Sequence, residues 1–295
     1  MSVLASKISL IKVNPRLTLA KFCRLFSSTP AFRAQAEAAQ PPLTLTTDSN
    51  GIRTICLNDS RKRNALSLAM LESLLQDLDR DQEELRVVII KASGPVFSAG
   101  HDLKELTQEK GLEFHEKVFS TCSDVMNLIQ DLPVPVIAQV QGLATAAGCQ
   151  LVASCDIAVA SQSSQFATPG VNVGLFCTTP GVALGRSVPR KVAMEMLFTG
   201  HPISAGDALL YGLVSKVVPD SQVEQETMRI AERICETSKD VVALGKAAFY
   251  AQVTMDKKNA YRYSEKIMVK NLMLQDGGEG IRAFIEKRKP EWKKG

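Results

Sequence analysis

The chain has 295 residues, 45% of them hydrophobic and 22% charged, enough to bury a large core as one domain or one domain with a small extension. No apolar run is long enough to span a bilayer, and there is no fixed-period repeat or long low-complexity tract. The formal charge of +4 does not argue for nucleic acid: six of the 35 Lys and Arg fall in residues 1–36, leaving 29 against 31 Asp and Glu.

Those first 36 residues carry Lys7, Lys12, Arg16, Lys21, Arg24 and Arg33, are rich in Ser and Leu, and contain no acid. This composition reads as a mitochondrial presequence, with Arg24–Ser28 resembling a processing site, and implies a matrix protein. The alternative is a basic tail for acidic surfaces. Residues 37–42 read as a linker. The seven cysteines form no Cys-x-x-Cys pair and the three histidines are isolated, so the expectation is buried free thiols and no zinc or other metal.

Two strands, 43–47 and 52–57, flank Asn50-Gly51, a hairpin signal. A loop with three adjacent bases, Arg61-Lys62-Arg63, follows. Ser67 is placed to cap a helix whose apolar face is Leu71, Leu74, Leu75 and Leu78. The run 86–91 reads as a buried strand, and after it comes Val96-Phe-Ser-Ala-Gly-His101-Asp-Leu-Lys104, a Gly-containing turn with a polar helix start. An amphipathic helix is expected over 111–131, then a second buried strand at 135–140. That strand feeds Gln141-Gly-Leu-Ala-Thr-Ala-Ala-Gly-Cys-Gln150-Leu151, a small-residue turn opening a helix. A strand followed by such a turn leaves N–H groups unpaired and pointing outward. Two such turns can aim one N–H each at a single oxygen. Taken alone, the second turn fits ordinary close packing equally well.

Short helices are expected over 180–186, 190–198 and 205–210, and a strand over 212–218. From 222 onward the pattern is helical, roughly 222–236, 240–252 and 256–275, with a last helix and tail over 280–292. Val241, Leu244, Ala248, Met268 and Leu272 offer apolar faces that serve either self-association or core packing.

The two turn segments, with Cys155-Asp-Ile-Ala-Val-Ala160 and Gln165-Phe-Ala-Thr-Pro-Gly170, resemble the crotonase family, the enoyl-CoA hydratase/isomerase superfamily, from about Leu43 to Lys294. The resemblance implies an α/β fold: a spiral of ββα units over 43–220 and a C-terminal helical layer over 221–295 that forms homotrimers, often stacked as hexamers. It implies an acyl-CoA ligand in fatty-acid or acyl-CoA metabolism, no other cofactor, no nucleic acid and no membrane span. The backbone N–H groups of His101 and Ala147 match the family's oxyanion donors. Arg61, Arg63 and Ala65 lie on the loop that lines the coenzyme A site, and Asp102, Leu103 and Lys104 run along the ligand. Phe284 and Lys287 match the region that reaches the adenine end, from the same or a neighbouring subunit.

The same resemblance exposes a departure. Hydratases of the family use two glutamates for acid–base work, and those positions here hold Gln150 and Gly170. Some isomerases place a carboxylate near Thr178. A neutral amide holds water but takes no proton near neutral pH. The family usually has a small residue where His101 stands; its imidazole could donate, accept or simply pack. Two readings stay open: an enzyme with altered chemistry, and a catalytically weak acyl-CoA-binding or regulatory protein. Restoring Glu at both 150 and 170 is expected to raise hydration.

Overall fold

The computed structural model describes residues 41–81 and 83–293. The expected presequence lies outside the described residues, as does most of the linker. The chain opens with the expected hairpin, β1 (Thr44–Ser49) and β2 (Ile52–Leu57), turned by Asn50 and Gly51 at φ 52° and 78°. Positive φ at both turn positions matches the twist of the flanking strands. Helix α1 (Leu68–Asp79) begins where Ser67 accepts the Met70 N–H, and it buries Leu71, Leu74 and Leu78.

Three ββα units follow: β3 (Val87–Ala92), β4 (Val96–Ser98) and α2 (Leu112–Asp131); β5 (Val136–Val140), β6 (Leu143–Thr145) and α3 (Ala147–Ser154); β7 (Ile157–Ser161), β8 (Gln165–Ala167) and α4 (Thr178–Ser187). Then come α5 (Arg190–Thr199), β9 (Ile203–Ser204), α6 (Ala205–Tyr211) and β10 (Lys216–Val218). The expected helix over 180–186 starts two residues earlier, at Thr178, and the strand expected over 212–218 shortens to its last three residues.

Each unit sends its first strand to one sheet and its second to another. The large sheet has the order β1-β2-β3-β5-β7-β10 and is parallel apart from β1. The small sheet has the order β4-β6-β8-β9 and is parallel apart from β9. The spiral expected from the resemblance is therefore present. Strand β5 is buried along its whole length, as a parallel strand covered on both faces must be. Along β3, Val88 and Ile90 face the main core, while Val87 and Ile89 face a second cluster. That second cluster is closed by Val223 and Ala231 of α7 (Val223–Cys235), which lies across the back of the large sheet.

Helices α8 (Lys239–Gln252), α9 (Lys257–Leu272) and α10 (Gln275–Glu286) complete the chain. The last begins five residues before the expected Gly280. Neither α8 nor α9 has a fully buried residue. Val241, Leu244 and Ala248 are half-buried against their own chain, so the exposed large apolar residues here are instead Phe249 on α8 and Val253 just after it. On α9, Met268 and Leu272 are exposed as expected. No helix among the described residues is long and apolar enough to cross a membrane.

Asp156, just before β7, holds α8 to this body. Its carboxylate accepts the Val136 N–H at 2.7 Å, Lys246 Nζ at 2.7 Å and the Tyr250 hydroxyl at 2.8 Å. Lys246 also donates to the carbonyls of Ile129 and Val134. Asp156 therefore serves structure.

Candidate functional site

The two Gly-containing turns meet. Gly100 has φ 81°, and a side-chain carbon built there would stand 2.8 Å from Ala146 Cβ, 2.9 Å from the Thr145 carbonyl oxygen and 3.1 Å from Ala147 N. On the other side, a carbon at Gly148 would stand 2.6 Å from the Ser98 carbonyl oxygen. The small residues of both stretches therefore let α3 and the end of β4 approach at backbone distance. Ala147 is the first residue of α3, where a helix leaves its N–H without an internal partner. Neither its N–H nor that of His101 donates to an acceptor among the described residues.

Ala146, immediately before the helix, sits at φ 51° and ψ −119°. This is a backbone region that costs a residue with a side chain about 1–3 kcal/mol. Sequence patterning carried no sign of it, since alanine normally avoids such a conformation. The strained residue turns the chain from β6 into α3 and so sets the direction of the next N–H.

Beside the two turns lies an apolar cavity of about 450 Å³. Ala99, His101, Leu103, Leu106, Phe119, Ala146 and Ala147 are among its lining residues. The segment from Pro169 to Pro180 contributes the rest, Phe176 and Thr178 among them. Of the residues singled out from sequence, His101, Leu103, Ala147, Gly170 and Thr178 are brought together here. Gln150 is not on that wall. It lies one turn into α3, is 5% exposed, and its Oε1 has no partner among the described residues. Thr178 donates to the Phe176 carbonyl at 3.2 Å.

Gly170 is closed in. Its N–H donates to Cys177 Sγ at 3.3 Å, its carbonyl accepts the Leu175 N–H at 2.9 Å, and a side-chain carbon would stand 2.8 Å from both Cys177 Sγ and the Leu175 carbonyl oxygen. A glutamate at 170 meets this contact, because the loop 170–177 occupies the space where its side chain would begin.

The titratable groups lining the cavity are His101 and Cys177. Burial raises the Cys177 thiol above its ordinary value, with the Gly170 N–H opposing, so it is a thiol rather than a thiolate. His101 Nδ1 lies 3.1 Å from the Leu66 carbonyl oxygen. A carbonyl only accepts, so Nδ1 carries the proton and Nε2 is a lone pair, buried and without a partner among the described residues. Burial holds the ring below its ordinary value and so neutral, against smaller opposing effects of the Leu66 carbonyl and Glu105.

The basic loop lies next to this turn. Arg61 and Arg63 are exposed and Ala65 is buried. Lys62 pairs with the Asp102 carboxylate at 3.6 Å, and that carboxylate also accepts the Lys104 N–H at 3.0 Å. Asn64, which sequence reasoning passed over, is fully buried at φ 50°. Its side chain donates to the carbonyls of Ser93 and Val96 and accepts the Asp59 N–H. Asparagine tolerates the left-handed region, the one signal that could have marked it. Phe284 and Lys287 lie exposed on and just after α10 and line no part of the cavity.

A family model for enoyl-CoA hydratase/isomerase matches residues 47–295. The chain belongs to the enoyl-CoA hydratase/isomerase family. It is 61% identical over 287 residues to mitochondrial enoyl-CoA hydratase domain-containing protein 3 of Mus musculus, covering 96% of this chain and 94% of that one. The crystal structure of the human enoyl-CoA hydratase domain-containing protein 3 matches with a TM-score of 0.84 at 63% identity, over 85% of this chain and 100% of the other. That of an enoyl-CoA hydratase from Mycobacterium smegmatis matches at 0.83 and 49%, over 85% and 99%. The family's crotonase fold is thus the fold of this chain, as its turn segments implied. The mitochondrial name of the mouse relative, shared by its rat, frog and human counterparts, agrees with the address read from residues 1–36.

Proposed function

We propose that this enoyl-CoA hydratase/isomerase family member binds a fatty acyl-CoA or another acyl-CoA thioester, in mitochondrial acyl-CoA metabolism. The thioester carbonyl oxygen lies between the N–H groups of His101 and Ala147, and the acyl part fills the apolar cavity. The observation that carries this reading is the pair of unpaired N–H groups on two turns packed together at Gly100 and Ala147. Donors fixed in advance act most strongly where charge develops, here on the oxygen of a thioester enolate; one such donor lowers a barrier by about 2.7–4 kcal/mol. The phosphates meet Arg61 and Arg63 and the backbone near Ala65, with Asp102, Leu103 and Lys104 along the ligand. Phe284 and Lys287, exposed on their own chain, serve the adenine end from a neighbouring subunit. The exposed apolar residues Phe249, Val253, Met268 and Leu272 are the faces on which copies form a trimer or hexamer. No cofactor beyond the acyl-CoA ligand and no metal enters this reading.

The chemistry differs from simple hydration. No carboxylate is among the residues lining the cavity. Gln150 and Gly170 stand where the resemblance puts the glutamates. That observation also favours a second reading, a catalytically weak or inactive acyl-CoA-binding or regulatory protein.

The test is calorimetric titration with crotonyl-CoA and a panel of acyl-CoAs, with the enoyl absorbance followed in the same samples. Binding with loss of the enoyl signal makes the protein an enzyme. Binding without turnover supports the second reading, and no binding across the panel rejects both.

A further inference from the structure

Five hydrogen bonds and the Lys62–Asp102 ion pair join the basic loop to the stretch 96–104 that carries the first of the two N–H groups. Ala99 N–H donates to the Arg63 carbonyl at 3.0 Å and Leu66 N–H to the Gly100 carbonyl at 2.8 Å. The Ser98 hydroxyl donates to the Asn64 carbonyl at 2.8 Å. The Asn64 side chain donates to the Val96 carbonyl at 2.8 Å, and the fifth bond is the His101 imidazole on the Leu66 carbonyl. Leu66 is fully buried, so its carbonyl cannot turn to water if the ring is removed. The ring is fixed on its other side by Phe119, edge to face at 5.1 Å between centroids.

We propose that His101 is a positioning residue: its imidazole ties the turn bearing the residue-101 N–H to the basic loop 61–66, so that the thioester end and the phosphate end of one ligand are received by a single rigid unit. The proposal rests on the acyl-CoA reading above. A site fixed in advance at both ends of a ligand loses less freedom when the ligand arrives. The neutral ring, with Nδ1 as its donor and Nε2 bare, is the form this role requires. A small residue at position 101 leaves the two segments joined by their backbone, by Ser98, by Asn64 on the Val96 carbonyl and by the Lys62–Asp102 ion pair, with no side chain of the turn on the Leu66 carbonyl.

Two variants of the full chain separate this role from the alternatives. The side-chain amide nitrogen of asparagine stands on the same branch as Nδ1 and can donate to the Leu66 carbonyl; leucine fills space and donates nothing. H101L is expected to weaken crotonyl-CoA binding about tenfold, as the loss of one hydrogen bond to a buried carbonyl implies. H101N is expected to recover most of that loss. Without any ligand, hydrogen exchange at the Ala99 and Leu66 amides is expected to quicken in H101L and to slow again in H101N. The imidazole ¹⁵N signals, assigned by their disappearance in H101N, are expected to show protonation at Nδ1. Exchange unchanged in H101L, asparagine no better than leucine, or protonation at Nε2 overturns the proposal. If the unaltered chain binds no acyl-CoA, the acyl-CoA reading falls, while exchange and ¹⁵N signals still decide whether His101 makes the tie.

Discussion

The Gly170 N–H donates to the Cys177 sulfur at 3.3 Å, and the same sulfur stands 2.8 Å from where a side chain at 170 would begin. A carboxylate at this position needs the loop 170–177 to move, and backbone at Leu175 blocks the other direction. Gly170→Glu is therefore expected to cost about 1–3 kcal/mol by overpacking and to bring no gain in crotonyl-CoA hydration. Gln150→Glu puts a carboxylate at a position 5% exposed, which costs stability and does not rescue it. Thermal unfolding together with the enoyl absorbance checks both. A stable double variant that hydrates crotonyl-CoA would show that the loop yields easily.

The strain at Ala146 and the close approach at Gly100 oppose stability to function. Ala146→Gly relieves the φ of 51° and is expected to raise stability by about 1 kcal/mol, a melting rise of about 2–4 °C for a chain of this size. It also loosens the aim of the Ala147 N–H, so acyl-CoA affinity is expected to fall. Gly100→Ala does the reverse of a relief. Its side-chain carbon stands 2.8 Å from Ala146 Cβ and forces the turns apart, so both stability and binding should drop. Calorimetry of unfolding and of binding on the two variants gives the four signs.

Lys246 is 7% exposed and its partner Asp156 is 15% exposed. Lys246→Met leaves the carboxylate with Val136 N–H and Tyr250 but no counter-charge. Breaking such a buried pair from one side costs about 3–5 kcal/mol. The expected result is a large fall in melting temperature, read by circular dichroism. An unaltered melting temperature would mean that water already reaches Asp156.

His101 sets an acid limit on stability. Its ordinary value is 6.5 and burial lowers it in the folded chain. Above pH 6.5 the ring is neutral folded or unfolded, and the stability is complete. As pH falls below that value the unfolded chain takes up the proton while the folded chain does not, so stability declines until the folded value is reached. Denaturant midpoints between pH 7 and 5 are expected to fall in the unaltered chain, and less so in H101N. Glu105 and the Leu66 carbonyl, which favour the proton, reduce the slope without reversing it.

Much of this molecule follows from its order of residues. Asn50-Gly51 between two alternating runs makes a hairpin because both residues accept positive φ. Val87 to Ile90 and Val136 to Val140 read as buried strands because they are nearly unbroken aliphatic runs, interrupted only by Gln139, which is itself buried. Ser67 begins a helix by accepting the Met70 N–H. The turn segments around Gly100 and Gly148 marked the family, since backbone donors need small neighbours rather than any particular side chain. These signals act over a few residues, and local sequence suffices for them.

The cavity is decided elsewhere. Its walls come from segments far apart in the chain, so which side chains face it depends on how the two sheets and α2 to α4 pack. The resemblance put Gln150 and Gly170 in the site together, yet Gln150 is not among the residues that line the cavity and Cys177 fills the space beside Gly170. The strained φ of Ala146 is imposed by the join of β6 to α3, against alanine's own preference. The protonated nitrogen of His101 is chosen by a carbonyl 35 residues earlier. A hydrogen-bond partner, a steric limit and a backbone strain depend on how groups are brought together by folding, and the residue types alone do not specify that, whether the groups are 35 residues apart or seven.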